Sequence, residues 1–109
     1  MPEINVQEPW FSLIKNKKKK IEGRLNKGLF ATLKKDDIVT FVNNNDKFDA
    51  KIKKIKKYDT FEEYLSQEGL KRTLPNIKTI KEGCDIYYKY YTKEQESEYK
   101  ILAIYIKVL

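Results

Sequence analysis

Ile14-Lys15-Asn16-Lys17-Lys18-Lys19-Lys20-Ile21-Glu22-Gly23-Arg24 carries the densest information in the chain. A block of ammonium groups runs directly into a Glu-Gly-Arg triplet. The triplet reads as strand, where side chains alternate with period two, so Glu22 and Arg24 share one face. Gly23 between them leaves the opposite face open for close packing. A carboxylate and a guanidinium on one face, beside lysines, suit a cleft for an anionic, hydrogen-bonding ligand. The same residues also allow a plainer reading, a solvated lysine surface with an exposed Glu22–Arg24 pair worth little.

Outward from this stretch, residues 3 to 7 read as a short strand and 9 to 17 as a short helix. Pro9 suits a first turn, and Trp10, Leu13, Ile14 and Lys17 fall at helical spacing. Residues 19 to 25 turn extended, and Asn26-Lys27-Gly28 is a turn signal. Lys35-Asp36-Asp37 delivers the β-branched, aromatic run Ile38-Val39-Thr40-Phe41-Val42, a strand. Asn43-Asn44-Asn45-Asp46 is a hairpin loop. Phe48, Ala50 and Ile52 then alternate with Asp49, Lys51 and Lys53. The parity slips at Ile55, and a bulge near Lys53–Lys54 would restore it and bend the strand, as barrels need. Thr60-Phe61-Glu62-Glu63 and Thr79-Ile80-Lys81-Glu82 are capping boxes, and Gly69 closes the first of these helices. Leu74-Pro75 starts a turn. In the helix after Thr79, Ile80, Cys84, Tyr87 or Tyr88, and Tyr91 form one stripe. Thr92 to Gln95 is a candidate for a third helix. Ile101 to Leu109 is a closing, largely buried strand. The order describes a single α+β domain over residues 1 to 109, a small bent β-barrel flanked by short helices.

Composition narrows the functions. The 109 residues are 40% hydrophobic and 13% aromatic, enough for a core. The net charge is +7, and its distribution is uneven. Residues 15 to 57 hold fifteen Lys/Arg against five Asp/Glu, whereas residues 58 to 109 hold eight against nine. A basic half of this kind is an electrostatic footprint for phosphates. Lone Cys84 excludes an intrachain disulfide and points to a reducing, intracellular compartment, cytoplasmic or nuclear. No long apolar run suggests a membrane span. Histidine is absent, which removes the usual general base and speaks against a metal site. No cofactor is expected.

With these elements in order, the chain resembles an ASCH domain of the PUA-like β-barrel superfamily. That family opens on a helix ending in Gly-x-Lys-x-x-Glu-x-Arg. Here Lys17 stands at the Gly, and Lys19, Glu22 and Arg24 match the rest. A lysine tolerates the positive φ of such a turn poorly. Glu8-Pro9-Trp10-Phe11, Lys35-Asp36-Asp37-Ile38, Phe61-Glu62-Glu63-Tyr64-Leu65, Glu68-Gly69-Leu70 and Leu102-Ala103-Ile104 fit too. The resemblance implies a PUA-like small bent barrel with a cleft between barrel and helices that binds RNA or nucleotide-like ligands. Some relatives are amidohydrolases that deacetylate N4-acetylcytidine through a Lys, a Thr and a Glu. By position Lys19 matches the Lys and Glu68 the Glu, while Glu22 occupies the Thr position. Other relatives are ribonucleases or nucleic-acid-binding coactivator modules.

The expected ligand site is therefore Lys17, Lys18, Lys19, Lys20, Glu22, Arg24 and Glu68, with Glu68 facing the other three of the motif. As catalytic groups the resemblance singles out Lys19, Glu22 and Glu68. A catalytic Lys19 must lose a proton that lysine ordinarily keeps to about pH 10.4. Neighbouring lysines and burial favour that loss, while Glu22 and Glu68 oppose it. RNA or nucleotide binding is the leading function. The alternatives are an amidohydrolase acting on acylated nucleosides and a protein-interaction module whose lysine face meets an acidic partner. Tyr87, Tyr88, Tyr90 and Tyr91 cannot all be buried on one helix, so one or two are free to stack a base. Trp10 reads as core. Lys51, Lys53, Lys54, Lys56 and Lys57 read as a solvated strand face, and Cys84 as a buried, inert thiol.

Overall fold

The computed structural model describes all 109 residues. Its backbone is organised by one long strand, β4 (Asp46–Tyr58). The hairpin with β3 (Ile38–Asn43) keeps strict register from Asn43↔Asp46 to Ile38↔Lys51. On its other edge β4 pairs with β5 (Ile101–Val108), and there the register passes from Ile52↔Ile106 to Lys54↔Tyr105. Lys53 is the extra residue. The parity slip at Ile55 is therefore a β-bulge, which bends β4 and lets both halves of the strand turn apolar side chains to the same side.

Two short strands complete the sheet. β1 (Glu3–Asn5) lies parallel to β3, and β2 (Ile21–Leu25) antiparallel to β5. The order is β1-β3-β4-β5-β2, so β1 and β2 are the two edges of a mixed sheet bent into a half-barrel. Period-two alternation sends the residues of β5 to two different cores. Leu102, Ile104 and Ile106 join Ile4, Val39, Phe41, Ala50 and Ile52 on the concave side, closed by Phe11 and Ile14 of α1 (Trp10–Lys15). Ile101 and Ala103 join Ile21 and Leu25 on the convex side, under α2 (Phe61–Glu68) and α4 (Ile80–Tyr88). Gly23 lies on this second side. A β-carbon there would stand 2.7 Å from the ring of fully buried Tyr64, so glycine is what lets α2 seat on β2.

The helices differ from expectation in detail. Thr60 and Thr79 cap α2 and α4 by accepting from the Glu63 and Glu82 amides, but the reciprocal backbone bond of a capping box is absent from both. Glu63 turns instead to the Asp59 amide, and Glu82 meets the Thr79 hydroxyl. The complete box opens α5 (Lys93–Tyr99), through Thr92 and Gln95. A further short helix, α3 (Leu70–Thr73), follows Gly69 directly, where the sequence suggested only a turn at Leu74. Gly69 itself breaks the chain between the two helices with φ +85°.

The turn from α1 into β2 aims the lysine block. The Lys18 amide bonds to the Leu13 carbonyl and the Lys17 amide to the Ile14 carbonyl, both at 2.9 Å, which is a Schellman motif. Lys17 occupies its left-handed position with φ 66°. The chain thus adopts the turn of a glycine with a residue that bears a β-carbon, at a cost of about 1 kcal/mol. Replacing Lys17 by Gly is expected to raise stability by roughly 0.5 kcal/mol once the extra freedom of the unfolded chain is subtracted. Denaturant unfolding checks this, and a destabilised variant would contradict it.

Candidate functional site

The half-barrel leaves a seam where β1 and β2 approach without pairing, and a cavity of about 190 Å³ lies in it. Asn5, Val6 and Gln7 form one bank. Glu22, Gly23 and Arg24 of β2 form the other, with Lys19 behind them. Trp10 of α1, which packs against both cores, closes one end. The α4 side supplies Ile86, Tyr87, Tyr90 and Tyr91, and Leu74 sits beneath.

Arg24 spans the seam. Its Nε donates to Glu22 Oε2 at 2.8 Å, and one terminal nitrogen donates to the Asn5 carbonyl at 2.7 Å. The guanidinium also lies 4.8 Å over the Phe30 ring. Of its five N–H groups two are thus committed, and its other terminal nitrogen has no protein partner. Above Gln7, the Tyr90 hydroxyl donates to the side-chain carbonyl at 3.0 Å, a second tie across the seam.

Lys19 is 2% exposed. Its ammonium donates to the Ile21 carbonyl at 2.7 Å and to the Thr73 carbonyl, and lies 3.4 Å from Glu22 Oε1. The two carbonyl bonds tie β2 to α3, and the ammonium faces the Glu22 carboxylate. Burial pulls its pKa below the ordinary lysine value, and Glu22 opposes that pull. Burial would raise the Glu22 carboxyl, but Arg24 and Lys19 outweigh it and hold the carboxylate below its usual range. Oε2 accepts from Arg24 and Oε1 faces Lys19, so the carboxylate keeps acceptor capacity toward the cavity.

Glu68 does not join this group. Its carboxylate accepts from the Tyr58 hydroxyl at 2.5 Å, from the Tyr105 hydroxyl and from Arg72 at 2.8 Å. The reason is strand parity. Tyr105 stands opposite Ile21, on the face that α2 covers, while Glu22 projects to the other side. Burial raises the Glu68 carboxyl, but the two tyrosine hydroxyls and then Lys56 and Arg72 outweigh it and keep it ionised. The expected convergence of residues 19, 22, 24 and 68 is therefore corrected to a cluster of Lys19, Glu22 and Arg24. Lys17, Lys18 and Lys20 are exposed on the segment leading into β2, outside the cavity lining.

Sequence reasoning passed over several residues of the seam. Trp10 is a cavity wall rather than simple core. Gln7, Asn5 and Ile86 carried no signal in the sequence. The expected helical stripe stops short of Tyr91, because α4 ends at Tyr88 and Tyr90 and Tyr91 follow it; Tyr87 is buried, Tyr91 stands at the cavity wall and Tyr90 is 54% exposed. Another buried carboxylate also went unread. Glu96 accepts from the Phe61 amide at 2.7 Å and from the Tyr88 hydroxyl at 2.9 Å, pinning α5 to α2 and α4. Cys84 is half-buried, and burial pushes its thiol pKa up. No group of His, Cys, Asp and Glu side chains is arranged to hold a metal ion, and no helix is long and apolar enough to cross a membrane.

The ASCH-domain family model matches residues 4–109, and the chain belongs to that family. The family is PUA-related and generally RNA-binding-like. Two solved structures share the fold. The crystal structure of hypothetical protein PH0355 is 38% identical, covering 98% of this chain and 97% of that one, with a TM-score of 0.91. The solution structure of protein PF0455 from Pyrococcus furiosus is also 38% identical, over 99% of this chain and 96% of that one, with a TM-score of 0.83. Among curated proteins there is no match.

The depressed Glu22 pKa makes the cluster acid-sensitive. Its stabilisation is present above the unfolded carboxyl pKa of about 4.3 and is lost as pH falls through the lower folded value. At neutral pH, Glu22→Gln leaves two buried cations without their carboxylate and is expected to cost about 3 kcal/mol. Thermal unfolding from pH 7 to pH 2.5 is expected to show a shallower acid decline in Glu22→Gln than in the wild type. Parallel curves would contradict the assignment.

Proposed function

We propose that the domain binds single-stranded RNA by drawing one unstacked nucleobase into the seam cavity. The observation that carries this reading is the Glu22 carboxylate, fixed by Lys19 and Arg24 with acceptor capacity facing an aromatic-walled hollow. A cavity of about 190 Å³ suits one ring system and falls short of the ~300 Å³ at which drug-sized sites begin. Glu22 accepts from an amino or ring N–H group on a base edge. The free nitrogen of Arg24 donates to a base carbonyl or a phosphate oxygen. Trp10, Tyr87 and Tyr91 supply apolar walls, and exposed Tyr90 a surface to stack on. Lys17, Lys18 and Lys20 add the long-range attraction that a polyanion needs.

The site chemistry favours binding over hydrolysis. Lys19 is tied down by the Ile21 and Thr73 carbonyls, Glu22 stands where the amidohydrolase relatives carry Thr, and Glu68 is bonded elsewhere. An exocyclic amino group offers two N–H donors to a carboxylate and uracil only its single ring N–H, so bases with an amino group are preferred to uracil.

Titration of labelled oligo-C, oligo-A and oligo-U strands at several salt concentrations tests this. The expected result is salt-dependent binding with a log–log slope of about −0.7 per phosphate neutralised, and weaker affinity for oligo-U. Tyr90→Ala, at an exposed position, is expected to lose ~1–3 kcal/mol of binding and to keep its fold. Equal affinity for all three strands, or none at low salt, would contradict the proposal.

A further inference from the structure

Four large apolar side chains are exposed, and two of them, Met1 and Leu109, are the chain ends. The other two, Leu29 at 38% and Tyr90 at 54%, lie on one groove. It measures about 340 Å³ and runs between the end of β2 and the 3-10 turn Gly28–Thr32 on one side and the chain after α4 on the other. Phe30 and Leu25 contribute apolar surface, and Lys27 a cation. Scattered surface hydrophobics need no explanation, but these two are not scattered.

The groove adjoins the seam cavity. Tyr90 and Tyr91 line both hollows. Arg24 stands at the boundary, with its guanidinium over Phe30 on the groove side and its bonds to Glu22 and Asn5 on the cavity side. Lys27 lines the groove with its ammonium 4.9 Å from the Tyr99 ring, a position that leaves the charge near the surface. The two cations beside the groove complement a phosphodiester.

We infer that this groove is a second nucleotide site, so that the domain recognises a dinucleotide step of a single strand rather than an isolated nucleoside. The inference rests on the cavity being a base site. The neighbouring base lies over Tyr90 and against Leu29, and the linking phosphate passes between Arg24 and Lys27. A stacking platform of this kind tolerates any base, because every base has a π-face. Selectivity then comes from the cavity and added affinity from the groove.

Calorimetric titration separates the two sites. CMP and the dinucleotide CpC are compared on the wild type, on Leu29→Ser and on Lys27→Ala, with melting temperatures as a check on folding. The wild type is expected to bind CpC about tenfold more tightly than CMP. Leu29→Ser is expected to remove most of that gain and to leave CMP affinity unchanged, and Lys27→Ala to do the same in part. Equal affinities for CMP and CpC, or a CpC affinity untouched by both substitutions, would overturn the groove and leave the cavity reading intact. Failure of every nucleotide to bind would overturn both.

Discussion

The fold depends on how a five-stranded sheet deals with an opening it cannot close. Full closure would pair β1 with β2, but the strands are short and the sheet bends only far enough to bring them near each other. Unpaired strand edges carry bare donors and acceptors and invite wrong pairing. Arg24 addresses this with one side chain, taking the Asn5 carbonyl from the opposite edge while Glu22 holds the guanidinium in place. Tyr90 and Gln7 add a second tie further along. The seam is therefore bridged by side chains rather than by a ladder, and space remains between the bridges.

That space acquires its chemistry from the same residues that make the bridge. A buried Glu22 is tolerable only because two cations face it, and a buried Lys19 only because two carbonyls and the Glu22 carboxylate surround it. Neither charge can leave without stranding the other. The cluster is thus a rigid polar floor, and aromatic rings from α1, α4 and the chain just after α4 form the rest of the enclosure. The bulge at Lys53 and the absence of a side chain at Gly23 shape the scaffold around it. One bends the sheet, and the other lets Tyr64 and α2 pack against the back of β2.

Much of this architecture is legible in the chain because it is local. The β4 bulge shows as a parity slip, the Glu22–Arg24 face as a period-two spacing, and the helix starts as threonines three residues before Glu or Gln. The site was legible only where strand alternation settles a direction. Glu68 illustrates the limit. Family position suggested that it faces Lys19, yet the register that sets Tyr105 opposite Ile21 puts its partners on the other side of the sheet. Likewise Asn5, Gln7, Arg24 and Tyr90 meet only through the curl of the whole sheet, and no spacing in the sequence encodes that meeting. Glu96 sits in a helix of polar residues whose composition reads as solvated, although its carboxylate is buried.

The proposed binding mode puts the ligand in the seam and not on the lysine-rich strand face. Backbone amide shifts followed by NMR during titration with a short single-stranded RNA test it directly. The largest changes are expected at Glu22, Gly23 and Arg24 and at the Trp10 indole N–H. Changes confined to Lys51 through Lys57, with the seam silent, would contradict it.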